Sequence, residues 1–210
     1  MIGTQRKGPA SLALAGIMAV SMLAGCNGAA SSGDDNGTTT TPVDNSFAAS
    51  VNAEMNDKQK AIVTFESSAD LVSAVNAVAD KFNSSELNVP STDWATNTTI
   101  KNDFRDMLDA DDEGVSSDWT NNTSKRTAAD IIIVPGKYTE EGLAKEIATF
   151  LGDKVVKNTV MPNGDIVSGK MYKYTYTGDL AVTKVESLDG KVSAYVVGVV
   201  IEQTPTEIAQ

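Results

Sequence analysis

Two short polar segments of the chain share a motif whose residue types suit carbohydrate binding. Residues 91–99 and 116–124 match at five of nine positions. An exposed aromatic ring can stack on the apolar face of a sugar, and a neighbouring carboxylate can accept hydrogen bonds from its hydroxyls. In the alternative interpretation, each tryptophan pins a polar loop to the core and each aspartate caps a local turn. The shared pairs are Asp93-Trp94 and Asp118-Trp119, which contain both tryptophans of the chain.

Between the two copies lies an acidic loop that partly matches a calcium-binding pattern. Counting from Asp109, the oxygen-bearing residues Asp109, Asp111 and Glu113 fall at positions 1, 3 and 5, and Gly114 at position 6. An EF-hand loop begins in this way, with glycine permitting the turn around the ion. Position 12 is Thr120 instead of the bidentate glutamate. The sequence therefore leaves two alternatives open: a calcium site, or a solvated acidic helix end.

Three tyrosines alternate along one predicted strand and therefore share a face of the sheet. They are Tyr172, Tyr174 and Tyr176. On a covered face they would be core residues. On an uncovered face they would form an aromatic platform for a glycan, a peptide or a second copy of the protein.

Two of the side chains that most often perform catalysis are absent or nearly absent from the chain. It has no histidine and one cysteine, and no Ser-x-x-Lys sequence occurs after residue 25. Histidine-based acid–base chemistry and Ser-His or Cys-His nucleophiles are thereby excluded. A pair of carboxylates, such as Asp93 and Asp118, remains the one plausible catalytic arrangement, as in glycosidases. We therefore expect a non-enzymatic protein.

The start of the chain has the layout of an export signal. Arg6 and Lys7 precede an apolar run over residues 10–24, and the sequence Leu23-Ala24-Gly25-Cys26 closes it with small residues and the single cysteine. This segment resembles the lipobox of bacterial lipoproteins. The resemblance covers only the first 26 residues. It implies cleavage before Cys26, a diacylglycerol on its sulfur and a position on the extracytoplasmic side of a membrane in the bacterial cell envelope.

Composition divides the rest of the chain into a tether and one domain. Residues 26–46 are rich in Gly, Ser, Thr, Asp and Asn, which cannot bury apolar surface, so this segment predicts a flexible tether. Residues 47–210 are long enough for a single domain with a core, within which residues 83–128 form a polar insert.

The charge of the protein excludes one class of partner. The formal net charge is −11, and removal of the signal peptide would take away Arg6 and Lys7 and leave −13. Such a body is repelled by phosphate backbones, so we expect no nucleic-acid partner.

Periodicity in the first half of the domain predicts strands and then helices. Alternating apolar residues over 47–66 favour an N-terminal hairpin, although Phe47, Val51 and Met55 also fit a helix. An amphipathic helix follows Ser67, a short helix is expected around residues 100–108, and Ile131 to Val134 read as a buried strand. A second amphipathic helix runs from about Thr139 to Gly152.

The last third of the chain predicts an antiparallel meander. Tight turns at Asn163-Gly164, Gly178-Asp179 and Asp189-Gly190 would separate four strands, at about 154–162, 165–177, 180–188 and 191–202. This register pairs Leu180 with Val199 and Val182 with Val197, on a face that we expect both amphipathic helices to cover, with the tyrosines on the other face. The predicted fold class is α+β.

These features lead to three functional hypotheses. The first is a surface-anchored, non-enzymatic binding or adhesion module, with an envelope polysaccharide as its ligand. The second is a structural or assembly lipoprotein that docks protein partners at the envelope. The third is a carboxylate-based wall hydrolase. Membrane contact through the lipid is common to all three, and no cofactor beyond calcium is expected.

Overall fold

The computed structural model describes residues 43–83, 98–113, 119–157 and 159–209, except for the side chains of Asn83 and Glu113. These residues confirm the α+β class. The expected signal peptide, Cys26 and nearly all of the tether lie outside them, as do Asp93, Trp94, Gly114 and Asp118. The elements are α1 (Ser46–Glu54), α2 (Asp57–Lys60), β1 (Phe65–Glu66), α3 (Ala69–Asn83), α4 (Thr98–Met107), β2 (Asp112–Glu113), β3 (Arg126–Pro135), α5 (Glu140–Lys154), β4 (Gly164–Val167), β5 (Lys170–Glu186) and β6 (Ser193–Ile208).

The six described strands form one mixed sheet in the order β1-β5-β6-β3-β2, with β4 also paired to β5. The central pairs, β5 with β6 and β6 with β3, are antiparallel. The short edge strands β1 and β2 are parallel to their neighbours. The turn at Asp189-Gly190 is confirmed: Gly190 has a φ of 67° and joins β5 to β6. It sets the predicted pairs Leu180 with Val199 and Val182 with Val197, which are also confirmed.

Helices cover both faces of the sheet, which corrects the prediction that the two amphipathic helices lie on one face. Residues such as Leu180 and Val197 pack in one core with α1 and α5. Their strand neighbours Ala181 and Val196 point the opposite way and pack in a second core with α3 and α4. Strand β3 and residues 194–201 of β6 are buried on both sides of the sheet, in keeping with their mostly apolar sequences.

The predicted N-terminal hairpin is wrong. Residues 46–54 form a helix, in which Val51 is fully buried. The helical alternative, with Phe47, Val51 and Met55 at four-residue spacing, describes this segment correctly. In place of a partner strand, Asn52 binds the backbone of Phe65 through both atoms of its amide: Nδ2 donates to the carbonyl at 2.7 Å, and Oδ1 accepts from the N–H at 2.9 Å.

The predicted turn at Gly178-Asp179 is also wrong, because β5 continues through it without interruption. Gly178 instead allows β1 to pack closely against β5. A Cβ at this position would lie 2.5 Å from Cδ1 of Phe65 and would prevent this approach. Since the strand does not fold back, the tyrosines lie on the same face as Leu180, which corrects their predicted placement.

The first predicted strand of the meander, 154–162, does not form. Helix α5 runs to Lys154, and the described residues after it make turns before β4 begins at Gly164. The hairpin turn lies at Ser168-Gly169, whose φ values of 52° and 80° match the mirror-image turns that join twisted strands. The meander therefore has three strands, β4, β5 and β6.

No helix among the described residues is both long enough and apolar enough to cross a membrane.

Close packing at Gly198 gives a direct test of the second core. A Cβ at this position would lie 2.4 Å from Val75 Cγ2 and 2.8 Å from Phe104 Cζ. We expect Gly198→Ala to lower the free energy of unfolding by about 1–3 kcal/mol through overpacking. Chemical denaturation measures the loss, and Val75→Ala in the same chain should restore part of it. A Gly198→Ala protein as stable as the parent would contradict this packing.

Candidate functional site

The part of the sheet beyond β3 forms a three-stranded lobe, which we call the sheet extension. It consists of β4, residues 170–175 of β5 and residues 204–208 of β6, because β3 pairs with β6 only as far as Gln203. Its two faces differ. One carries the tyrosines and packs against the segment that begins at Trp119. The other carries side chains that are exposed to solvent.

A buried hydrogen-bond network fixes the base of this lobe. Gln203, which is fully buried, donates from Nε2 to the Trp119 carbonyl at 2.7 Å and to the Tyr176 hydroxyl at 2.9 Å. Its Oε1 accepts from Nδ2 of Asn122 at 2.6 Å. The Tyr176 hydroxyl in turn donates to the carbonyl of Pro162 at 2.8 Å. One side chain thus connects β6, β5 and two loops.

Aromatic packing completes this network. The Trp119 ring is fully buried and meets Tyr176 edge to face, with 6.1 Å between centroids and 79° between planes. Tyr174 is buried as well, whereas Tyr172 is partly exposed. Trp119 and Tyr174 therefore present no ring face to solvent. Both side chains therefore fit the alternative in which the aromatic residues pack against the core and do not bind a ligand. Trp94, Asp93 and Asp118 lie outside the described residues.

Burial raises the pKa values of Tyr174 and Tyr176. It raises the pKa of Tyr176 to about 12, against the smaller lowering effect of the hydrogen bond from Gln203. It also raises the pKa of Tyr174, and the nearby charge of Asp165 adds to this shift. Both hydroxyls are thus neutral at physiological pH and act as structural groups.

The described part of the acidic loop makes internal contacts. Oδ2 of Asp111 accepts the backbone N–H of Thr127 at 2.9 Å, and Asp112 pairs with Arg126 at 2.5 Å. Asp109 is exposed, with a φ of 49°. Within the described residues, which exclude the Glu113 side chain, no group of three acidic, histidine or cysteine side chains converges as a metal site would require. Calcium binding stays a prediction.

The exposed face of the sheet extension carries a row of large apolar side chains, which we call the apolar row. Ile166 pairs with Met171, and Met171 pairs with Ile208, so the three lie side by side across three strands. Their exposed fractions are 61%, 42% and 42%. The row borders a shallow depression of about 320 Å³. Because the three side chains are contiguous and not scattered singly over the surface, we take the row as the candidate interaction site.

The apolar row is bordered by polar groups of low net charge. Lys173, Thr175, Thr204 and Thr206 continue the same face and are exposed. Lys173 forms no ion pair with any acidic residue in the described part of the chain, whereas Lys170 is held by Glu207 at 2.9 Å. The face therefore offers three apolar side chains and one available ammonium group.

The edges of the sheet extension are closed to further strands. The N–H of Ile166 is satisfied by the Asp165 carboxylate of its own strand at 2.8 Å, and the same carboxylate accepts the N–H of Asn121 at 3.1 Å. Pro205, on the opposite edge beyond the reach of β3, has no N–H to offer. Natural sheets use such devices to prevent edge pairing. An interaction at this lobe must therefore use its open face.

Sequence reasoning missed the apolar row because it placed the hairpin turn at Asn163-Gly164. The signal was present: Ile166 and Met171 lie symmetrically about Ser168-Gly169, which is itself a turn-forming dipeptide. Ile208 was left outside the predicted strands.

Comparison with known proteins gives no relatives: no family model, no curated protein and no solved structure matches this chain.

The Gln203 network predicts a specific loss of stability. Gln203→Ala leaves the Trp119 carbonyl and the Asn122 amide without their buried partner, so the free energy of unfolding should fall by about 2–4 kcal/mol. Denaturation followed by fluorescence in a Trp94→Phe background reports on Trp119 directly. Thr206→Ala, on the exposed face of the same strand, is the control and should change stability by less than about 0.5 kcal/mol. Equal effects of both substitutions would contradict the network.

Tyr176 predicts a loss of stability in alkali. Its folded-state pKa of about 12 lies above the ordinary value of 10.0, so the folded state retains its proton longer than the unfolded state. The resulting stabilisation is fully present below pH 10 and is lost as the pH rises through 12. Denaturation at a series of pH values should show this decline, and Tyr176→Phe should reduce it. A decline of the same size in the variant would rule out Tyr176 as its source.

Proposed function

We propose that this protein is a lipid-anchored, extracytoplasmic lipoprotein that docks a protein partner at the bacterial envelope without catalysing a reaction. The exposed apolar row of Ile166, Met171 and Ile208 carries the proposal. The lipobox-like segment ending at Cys26 supports the anchor, and the composition of residues 26–46 supports a tether between the anchor and the domain.

Protein docking accounts for the exposed face better than glycan binding does. A sugar site needs an aromatic ring open to solvent, yet Trp119 is fully buried and Tyr174 is 4% exposed. The apolar row is aliphatic, with threonines and one lysine around it. Such a surface complements apolar side chains of another protein. Of the aromatic side chains named for a glycan site, the hypothesis now depends on Tyr172 and Tyr176, which are partly exposed, and on Trp94, which lies outside the described residues.

The size of the face indicates a weak and reversible contact. Three strands about 4.8 Å apart and five residues long span on the order of 200 Å². Stable interfaces bury about 800 Å² from each partner, so this face by itself supports only transient binding in solution. Attachment of both partners to one membrane would raise their effective concentration and compensate for the low affinity.

A photo-crosslinking amino acid at position 171 tests the proposed function in intact cells of the native host. The row predicts a discrete protein adduct from this position. The matched control is the same group at Leu188, an exposed position between β5 and β6 and outside the row, which should give no such adduct. Cys26→Ser, which removes the proposed lipid site, should abolish the adduct at 171 by releasing the protein from the membrane. Failure to obtain any adduct at 171 would overturn docking through this face.

A further inference from the structure

The exposed apolar side chains of this protein fall largely into two patches. Five large apolar side chains are exposed in the described part of the chain. Three form the apolar row, Leu188 lies at the tip of the β5–β6 hairpin, and Met107, at 44% exposure, ends helix α4. The surroundings of Met107 form the second patch.

Met107 lines a groove of about 420 Å³ between α3 and the end of α4, which we call the helix groove. The groove exists because α3 presents small side chains where α4 approaches it. Its walls combine these small groups with two apolar side chains and two carboxylates. The lining residues are Asp70, Ser73, Ala74, Ala77, Met107, Leu108 and Asp109.

The two patches differ in charge: Lys173 and Asp165 line the depression at the apolar row, where backbone N–H groups engage the Asp165 carboxylate, whereas two aspartates line the helix groove. In the described part of the chain, no lysine or arginine forms an ion pair with Asp70 or Asp109; Lys81 of α3 pairs with Asp103, and Lys101 of α4 pairs with Asp130. The apolar row has the converse arrangement, with the available ammonium group of Lys173 beside it. The apolar row thus offers three apolar side chains and one cation, and the helix groove offers apolar side chains and two carboxylates.

We propose that the apolar row of one copy binds the helix groove of a second copy. Side chains of the row would occupy the groove, and Lys173 would lie near Asp70 or Asp109. This inference rests on the proposed docking function and names another copy of the chain as the partner. Each copy has both surfaces, so a heterologous contact leaves a free row at one end and a free groove at the other, whereas two copies that exchange both contacts form a closed two-fold dimer. We expect the heterologous form, whose product is a head-to-tail chain or a ring on the membrane.

Two blocked variants distinguish this arrangement from row-to-row and groove-to-groove contacts, and growth of the parent chain beyond a dimer distinguishes it from a two-fold dimer that exchanges both contacts. Met171→Asp blocks the row and leaves the groove intact, whereas Met107→Asp blocks the groove and leaves the row intact. Each variant alone should be monomeric in sedimentation velocity, while the parent chain grows with concentration. Mixed together, the two should form one-to-one dimers and nothing larger. The protein used is the chain from residue 26 with Cys26→Ser, at concentrations up to about 1 mM because the contact is weak.

The matched control is Leu188→Asp, which places the same charge on an exposed leucine outside both patches and should leave assembly unchanged. A charge exchange gives an independent measurement. Lys173→Glu and Asp109→Lys should each weaken self-association about tenfold or more, because each variant places two like charges at the contact between its own copies. A mixture of the two variants should recover association, because the contact then joins opposite charges.

Several outcomes would overturn the inference. A parent chain that stays monomeric over this range would do so, as would a Met107→Asp protein that still dimerises alone, which indicates row-to-row contact. A mixture of the blocked variants that stays monomeric would also contradict it. These failures differ from failure of the proposed function: an adduct at position 171 to a different protein keeps the docking function and rejects the second copy as the partner.

Discussion

The unbroken pairing of β5 with β6 is the constraint on which the rest of the structure depends. From Met171 with Ile208 to Glu186 with Ser193, the two strands keep one register without a bulge. Strand geometry then assigns every second residue to the same face. The pairing places Leu180 and Val197 against α1 and α5, and Ala181 and Val196 against α3 and α4. Because β3 covers only part of β6, the same pairing also creates the sheet extension and leaves its outer face bare.

Polar side chains satisfy backbone groups around this long hairpin. Gln203 ties the covered face to the Trp119 loop, and Asn52 takes the hydrogen bonds that a neighbouring strand would otherwise make with Phe65. Asp165 and Pro205 close the edges of the sheet extension. Edge pairing is thus suppressed at these positions, while three apolar side chains stay exposed on a face. The sheet extension is therefore suited to docking through its exposed side chains rather than through backbone hydrogen bonds at its edges.

Local sequence signals predicted part of this architecture. The helices α3 and α5, the β3 strand and the Asp189-Gly190 hairpin follow from periodicity and turn chemistry, which act over a few residues. The errors arose where tertiary contacts override local preference. Gly178 reads as a turn residue, but it is required for the close approach of Phe65. The exposed row was missed because its three members come from strands whose register depends on the correct turn. The burial of Trp119 depends on Gln203, which is distant in sequence.

Methionine oxidation in cells tests the central claim most directly, that the apolar row is a surface which becomes covered at the envelope. The protein contains its own internal standards, since Met171 is 42% exposed and Met161 is fully buried. Hydroxyl-radical labelling of the isolated protein should oxidise Met171 and spare Met161. In intact cells with the anchored protein, we predict that Met171 becomes protected while exposed positions outside the proposed contacts stay reactive. Equal oxidation of Met171 in both settings would contradict the account, because the row would then face water where the protein functions.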